Sequence, residues 1–587
     1  MTITEALKIL QRGPSEAEIY EVALVCGFVP VHLETFLAAH LQQRYSDRCV
    51  RVRTGTYGDV VGTLEGLKPA GAQAIAIVLE WQDLDSRLGY RGAGKWSPAA
   101  VADVLAVVSA MLGRMAEAIE AIPAGMRVVC CLPTLAPPPV FHTPGWMTAE
   151  AEVVLEHHAL AFVERLLRRP GFALVNARRL AEESPAAERY SLKSDLATGL
   201  PYSQVHADAV ASAVAMLIAP PVPRKGLITD LDDTLWHGLV GEAGPEGVSW
   251  DLASHQQLHG LYQKLLASLA EEGVLIGVAS KNDPVIVEQA LARADILLPP
   301  ERVFPREVHW NRKSGSVERI LRTWNVGADS VVFVDDSPME LAEVKAAHPG
   351  IECVQFPVGD ATRGYAMLRR LRDLFGKPRL ADEDAFRLES IRRGMAFQQD
   401  SGDSLGAEAF LQQADATVTF NFDPASTDPR TLELVNKTNQ FNLNGVRYTE
   451  TDWSRQLDRP GALLVSVSYQ DRFGPLGKIA VLAGRLVGDT VHAEVWVMSC
   501  RAFSRRIEHQ CIKTLFERSG AGKIAFAFQA TPKNGPLQDF FAALTGKRPT
   551  APFELARDQF EENRPPLYHR VAETASSSQP WIQSQIA

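Results

Sequence analysis

The stretch GLITDLDDTLW, residues 226–236, decides how the rest of the chain is read. Gly226-Leu227-Ile228-Thr229 is a short apolar run of the kind that forms a strand buried on both faces. It leads into Asp230-Leu231-Asp232-Asp233-Thr234. Carboxylates are costly to bury, so two of them at the end of such a strand need a reason. Residues two apart on an extended chain point the same way, which turns Asp230 and Asp232 toward one site. In open α/β sheets the carboxyl ends of the strands are where ligands bind.

Two further runs repeat the design. VVFV (331–334) ends in Asp335-Asp336-Ser337-Pro338, and GVLIGVA (273–279) ends in Ser280-Lys281-Asn282-Asp283. Lys313, in WNRKSGSVERI, adds a cation between them. With these strands in one sheet, Asp230, Asp232, Asp335 and Asp336 converge. So much negative charge calls for a cation, and hard oxygen ligands select Mg2+. A single DxD could be a solvated turn; an ordered set of polar strand ends is not.

Further out, residues 1–218 alternate apolar runs (VALVCGFV, AIAIVLE, RVVCCLPT) with amphipathic stretches (TFLAAHLQQRY, PAAVADVLAVVSAMLGRMAEAIEAI). That pattern predicts an α/β domain with a parallel sheet. The proline-rich stretch 219–225 reads as a linker. Residues 226–378 form a second α/β domain, and 379–400 reads as a connecting helix. Residues 401–565 place the helix DPRTLELVNKTNQF after ATVTFNF, then the consecutive strands ALLVSVSY, KIAVLAGRLV and TVHAEVWVMS, then the helix SRRIEHQCIKTLFERSG. This is an α+β pattern with a largely antiparallel sheet. Residues 566–587 read as a loosely held tail.

The chain of 587 residues carries a net charge of −10, which argues against a nucleic-acid ligand. No apolar run nears the roughly 18 residues that span a bilayer. The seven cysteines (26, 49, 130, 131, 353, 500, 511) are odd in number, scattered and without a CxxC pair. Neither a disulfide framework nor a zinc site is expected. With no secretory leader at the N-terminus, a cytoplasmic protein with reduced thiols is expected.

The central segments resemble the four signature motifs of the haloacid dehalogenase superfamily. The resemblance implies Asp230 as the nucleophile that forms an aspartyl-phosphate and Asp232 as general acid and base. It implies Thr234, Ser280, Lys281, Asn282 and Lys313 around the phosphoryl group. Magnesium would be held by Asp230, Asp335, Asp336 and the backbone carbonyl of Asp232. Between Gly238 and SHQQLHGLYQKLLASLAEEG there is too little chain for an inserted cap domain, so the site should be open.

The longer strings LITDLDDTLWHGLVGEAGPEGV, ASKND and VFVDDSPME look like the FkbH-like branch of that superfamily. The likeness continues through LELVNKTNQFNLN, VRYTE, SYQDRFGPLGKIAV, WVMSCRAFSRRIE and TPKNGPLQDF. It implies an enzyme that uses 1,3-bisphosphoglycerate, removes phosphate and loads a glyceryl group onto an acyl carrier protein for polyketide-type assembly. The alternative is a plain Mg-dependent phosphatase with a carrier-binding C-terminal module. Asp233, His237 and Ala279 stand where the family commonly has Asn, Gly and Cys.

The C-terminal region resembles an acetyltransferase fold of the GNAT type. Ser504 and Arg506 replace the glycines of its phosphate-cradling loop, which argues against tight coenzyme A binding. The expectation is a carrier-borne pantetheine arm, with Arg501, Arg505 and Arg506 facing an acidic carrier. Asp471 and Arg472 are expected at the same site. Asn436, Asn439, Gln440 and Asn442 either bind the acyl hydroxyls or cap a helix. Cys500, beside arginines, is the candidate acyl-carrying thiol, against the reading of a buried structural cysteine. Cys511 reads as core. The N-terminal region resembles the SGNH-hydrolase-like domain fused to this family. VCGFVPVHLETF lacks a nucleophilic serine there, so His206 reads as a packing residue and the domain as a docking module without hydrolase activity.

Overall fold

The computed structural model describes residues 1–14, 17–67, 71–95, 100–138, 150–377, 388–389, 391–392, 411–412, 414–422, 428–472, 474–499, 502–503 and 505–574. The chain divides into two compact units, one of residues 1–221 with 449–452 and one of residues 222–448 with 453–587.

The first unit is built on a five-stranded sheet of β1 (Ile19–Val25), β2 (Cys49–Thr54), β3 (Ala74–Val78), β4 (Arg127–Cys131) and β5 (Phe172–Leu174). All pairs are parallel and the order is β2-β1-β3-β4-β5. Helices Val31–Arg44 and Gln204–Ile218 pack on one face and Val101–Glu120 and Glu150–Leu166 on the other, giving two apolar cores. Every residue of β3 is buried, as befits the middle strand.

The second unit holds two sheets. The first contains β6 (Gly226–Thr229), β7 (Leu275–Ser280), β8 (Val303–Val308), β9 (Val331–Asp335) and β10 (Glu352–Gln355). It is again all parallel, in the order β10-β9-β6-β7-β8. The chain runs outward from β6 to β8 and then returns to the other side of β6, so the order reverses between β6 and β9. Such a switch point opens a crevice at the strand ends. Two glycines let the sheet carry a helix closely: a Cβ at Gly226 would stand 2.6 Å from the Trp324 ring and one at Gly277 2.8 Å.

The other sheet runs β16 (Phe553–Ala556), β15 (Lys523–Phe526), β14 (Thr490–Met498), β13 (Gly474–Val487), β12 (Ala462–Asp471), β11 (Thr417–Phe422), β17 (Arg570–Thr574). The pairs β14–β15 and β11–β17 are parallel and the others antiparallel. Its larger core gathers Phe441, Trp496, Phe526 and Phe541.

Three differences from the sequence reading share one cause. The strands β2, β8 and β10 are not legible as apolar runs because they lie at a sheet edge, where burial is partial. The edge strand β5 is apolar but only three residues long, too short to stand out. The tail read from 566 onward contains β17, which pairs with β11, so residues 570–574 belong to the sheet. The connecting helix read at 379–400 falls almost wholly outside the described residues. Among the described residues, no helix is long and apolar enough to cross a membrane.

Candidate functional site

The pairing of β6 with β9 sets Thr229 opposite Val334, and the Asp230 N–H donates to the Val334 carbonyl at 2.9 Å. Asp230 and Asp335 therefore emerge side by side at the switch point. Both are buried, Asp335 completely. Lys313, the first residue of helix Lys313–Trp324, reaches between them. Its Nζ lies 3.0 Å from Asp230 Oδ2 and 2.6 Å from Asp335 Oδ2. The Asp336 N–H donates to Thr234 Oγ1 at 3.1 Å, and the Thr234 hydroxyl donates back to Asp336 Oδ1 at 3.4 Å. Thr234 thus ties the turn after β6 to the turn after β9.

The carboxylates of Asp230, Asp335 and Asp336 each offer an oxygen, and these lie within 4.8 Å of one another. Asp230 Oδ1 is buried without a partner. Burial pushes the Asp230 carboxyl up to about 6 against the pull of Lys313, with the Asp335 charge adding to the rise. Burial raises Asp335 as well, and burial followed by the Asp230 charge raises Asp336. Three crowded carboxylates with one lysine among them are short of positive charge. An orphaned oxygen and an all-oxygen donor set fit a hard divalent cation.

Asp232 is not part of this cluster. Its Oδ1 accepts from the Trp236 indole N–H at 2.9 Å and the Val240 N–H at 3.1 Å, and its Oδ2 accepts from the Asn282 amide at 3.1 Å. The reading of four converging carboxylates is corrected to three, because neutral donors hold the fourth. Trp236 was not singled out from sequence; its place four residues after Asp232 in a tight turn was the available signal. Asp233 adopts φ 49°, a left-handed conformation that Asp and Asn tolerate better than most residues. Its Oδ1 accepts from the Gly238 N–H at 2.8 Å and stands 3.3 Å from His237 Nδ1.

Ser280 ends β7, buried, and its hydroxyl oxygen accepts from the Asn282 amide at 3.1 Å. Lys281 does not join the cluster: its ammonium pairs with Glu340 Oε1 at 2.6 Å. Of the residues expected around a phosphoryl group, Thr234, Ser280, Asn282 and Lys313 stand at neighbouring strand ends. Lys281 instead pairs with helix Pro338–Ala347.

The residues expected to bind an acyl or pantetheine group are less free than the sequence suggested. Asn436 exchanges two hydrogen bonds with the Tyr448 backbone, at 2.8 and 2.9 Å. Asn442 donates to the Thr438 carbonyl and accepts from the Asn444 and Gly445 N–H groups. Asn439 Oδ1 accepts from Arg447. These asparagines build a turn. Gln440 differs: its Oε1 is buried without a partner, and it lines a cleft with Ser314, Arg322 and His348. Arg505 lies over the Tyr469 ring with its Nε 3.8 Å from Asp471 Oδ2, and its carbonyl accepts from His569. Arg506 donates to the Pro566 carbonyl at 2.8 Å. Both arginines thus fasten the segment before β17. The Arg472 N–H donates to the Ala414 carbonyl. Cys500 and Arg501 lie outside the described residues. Cys511 is fully buried, and burial pushes its thiol up.

His206 is fully buried in the first unit. Its Nε2 lies 2.7 Å from Thr134 Oγ1 and its Nδ1 2.8 Å from Ser184 Oγ. Both ring nitrogens are thus engaged by hydroxyls and the ring is sealed from solvent.

No protein-family model and no curated protein sequence matches the chain. Solved structures do. The N-terminal part of the protein BF1531 from Bacteroides fragilis, described as containing a phosphatase domain complexed with Mg, superposes with a TM-score of 0.51 at 19% identity. The match covers 64% of this chain and 99% of that one. At this identity the likeness establishes a shared fold. An uncharacterised Corynebacterium glutamicum protein (20% identity, TM-score 0.20, 26% of this chain and 98% of that one) and an extracellular lipase of Streptomyces rimosus (13%, 0.24, 34% and 100%) match too weakly to carry an argument.

Proposed function

We propose that the second unit is a magnesium-dependent phosphatase of the haloacid dehalogenase type, working through an aspartyl-phosphate on Asp230. The observation that carries this reading is the buried Asp230–Lys313–Asp335 constellation at a topological switch point, with Asp336 beside it and one Asp230 oxygen unpartnered. The Mg in the B. fragilis structure of shared fold supports the choice of metal. Magnesium held by Asp230, Asp335 and Asp336 would screen the phosphoryl charge that otherwise repels a carboxylate nucleophile. Lys313 orients Asp230 and neutralises the phosphoryl oxygens, and the Ser280 hydroxyl donates to one of them. Asp232 gives its proton to the leaving oxygen and then takes one from the attacking water.

The finer reading is that this step is coupled to acyl transfer. The substrate is 1,3-bisphosphoglycerate or a similar acyl phosphate, the acceptor is the pantetheine thiol of an acyl carrier protein, and Cys500 carries the glyceryl group between them. A second reading, the phosphatase with a C-terminal binding module, is favoured by the internal ties of Asn436, Asn442 and Arg505. Intact-protein mass spectrometry separates the two. The first reading expects a carrier incubated with enzyme, Mg2+ and 1,3-bisphosphoglycerate to gain a glyceryl mass. It also expects Cys500→Ala to lose that gain while still releasing phosphate from a small phosphomonoester. Phosphate release with no carrier adduct favours the second.

A further inference from the structure

Asp232, two residues from Asp230, is held by neutral groups. Its immediate hydrogen-bond partners are three neutral donors drawn from three points in the fold. Trp236 is fully buried and stands where the turn after β6 closes back, bridging to Asp232. Val240 begins the short helix Val240–Ala243. Asn282 follows β7 and is buried. Two of the donors, the indole and the Val240 N–H, share Oδ1, while Oδ2 receives only the Asn282 amide.

The hydrogen count at Asn282 is informative. Its Nδ2 carries two hydrogens, one directed to Asp232 Oδ2 and the other to Ser280 Oγ. Because the Ser280 oxygen accepts from Asn282, its own hydrogen is left to donate outward. One amide thus sets the orientation of two groups that face the same crevice. This differs from the expectation that Asn282 contacts phosphate directly, since both its N–H bonds are already committed.

We propose that Trp236, the Val240 N–H and Asn282 form a clamp that fixes Asp232 with Oδ2 as the proton-carrying oxygen, and that Trp236 and Asn282 are positioning residues for proton transfer. This rests on the aspartyl-phosphate reading above. In the first half-reaction an Asp230 oxygen forms a bond to phosphorus, the bond from phosphorus to the leaving oxygen breaks, and that oxygen takes the proton from Oδ2. In the second, water attacks the phosphorus of the aspartyl-phosphate, its proton returns to Oδ2, and Asp230 leaves as the carboxylate. Oδ1, bonded twice, stays anchored in both.

The test exploits leaving groups. A nitrophenolate departs without a proton, whereas an alkoxide needs one. Wild type, Asp232→Asn, Trp236→Phe and Asn282→Leu are compared on p-nitrophenyl phosphate and on a simple alkyl phosphate, with thermal unfolding to show that each is folded. The clamp predicts that Trp236→Phe and Asn282→Leu lose about tenfold or more in kcat/KM, which reports the half-reaction that expels the leaving oxygen, on the alkyl ester beyond any loss on the nitrophenyl ester. It also predicts KM values within about twofold of wild type. Equal losses on both esters, or none, in folded variants overturn the clamp while Asp232→Asn keeps its selective loss. If Asp232→Asn itself shows no leaving-group selectivity, or wild type hydrolyses neither ester, the aspartyl-phosphate reading fails and the clamp with it. Asn282→Leu alone decides the matter where Trp236→Phe does not fold.

Discussion

The first unit and the central sheet of the second solve the same problem in opposite ways. Each is a five-stranded parallel sheet whose order reverses beside the middle strand, and each places a carboxylate just past the end of that strand. In the first unit the carboxylate is Glu80, two residues beyond β3. It accepts from the Thr134 N–H and hydroxyl, the Leu135 N–H and the Tyr202 hydroxyl, at 2.6–3.2 Å. His206 closes the network through Thr134 and Ser184. In the second unit Asp230 meets a lysine and two other carboxylates and keeps an unpartnered oxygen. A strand-end carboxylate that is both buried and saturated by neutral donors is scaffold. One left short of partners and crowded by like charges is poised for a ligand.

The largest expected effect separates the two ends outright. Asp230→Asn should reduce phosphate release on the order of a thousandfold or more, since an amide cannot form the acyl-phosphate. Its thermal midpoint should stay near wild type. Undiminished release by the folded variant would remove Asp230 as nucleophile. Chelation comes next: EDTA should eliminate turnover and added Mg2+ should restore it. The same treatment should leave unfolding of the first unit unmoved, because neutral donors already meet the Glu80 carboxylate.

Glu80→Gln should show the reverse pattern. An amide presents its own N–H groups to Thr134, Leu135 and Tyr202, and an unsatisfied buried polar group of this kind costs about 3 kcal/mol. The expected readout is a lower unfolding midpoint with phosphate release per folded molecule unchanged. A variant that instead lost turnover and kept its stability would make the first unit part of the chemistry.

The smallest effect is a pH dependence. Burial, then the Arg189 charge, pushes the His206 imidazole from 6.5 down to about 3. The unfolded chain therefore binds a proton there that the folded chain does not, between about pH 6.5 and 3. Stability from this group is complete above pH 6.5 and falls as pH drops through that window, by about 2 kcal/mol at pH 5. His206→Gln should cost stability at pH 7.5 through its lost hydrogen bonds, and that cost should shrink or vanish at pH 5. A wild-type-to-variant gap that is the same at both values would place His206 in contact with solvent.

How much of this was legible depended on where each residue stood. Asp230, Asp335 and Asp336 were readable because charged groups at the ends of apolar runs break a strong pattern, and the order of such breaks along the chain is itself a signal. The middle strands were readable because burial on both faces demands unbroken apolar residues. The edge strands β2, β8 and β17 were not, since partial burial leaves them polar. The asparagines 436 and 442 shared their composition with a binding cluster, and only their partners distinguished a turn from a site.

By itself the sequence determined which groups carry charge, which runs must be buried and in what order the strand ends follow one another. Only the tertiary structure decided which strands became neighbours, and so which carboxylates met. Asp232 lies two residues from Asp230 yet turns to Trp236 and Asn282, while Asp335 lies far along the chain and shares Lys313 with it. The reason is that a carboxylate's role follows from the donors within hydrogen-bond reach, and at a parallel sheet's end those come from chain segments that only the strand order brings together.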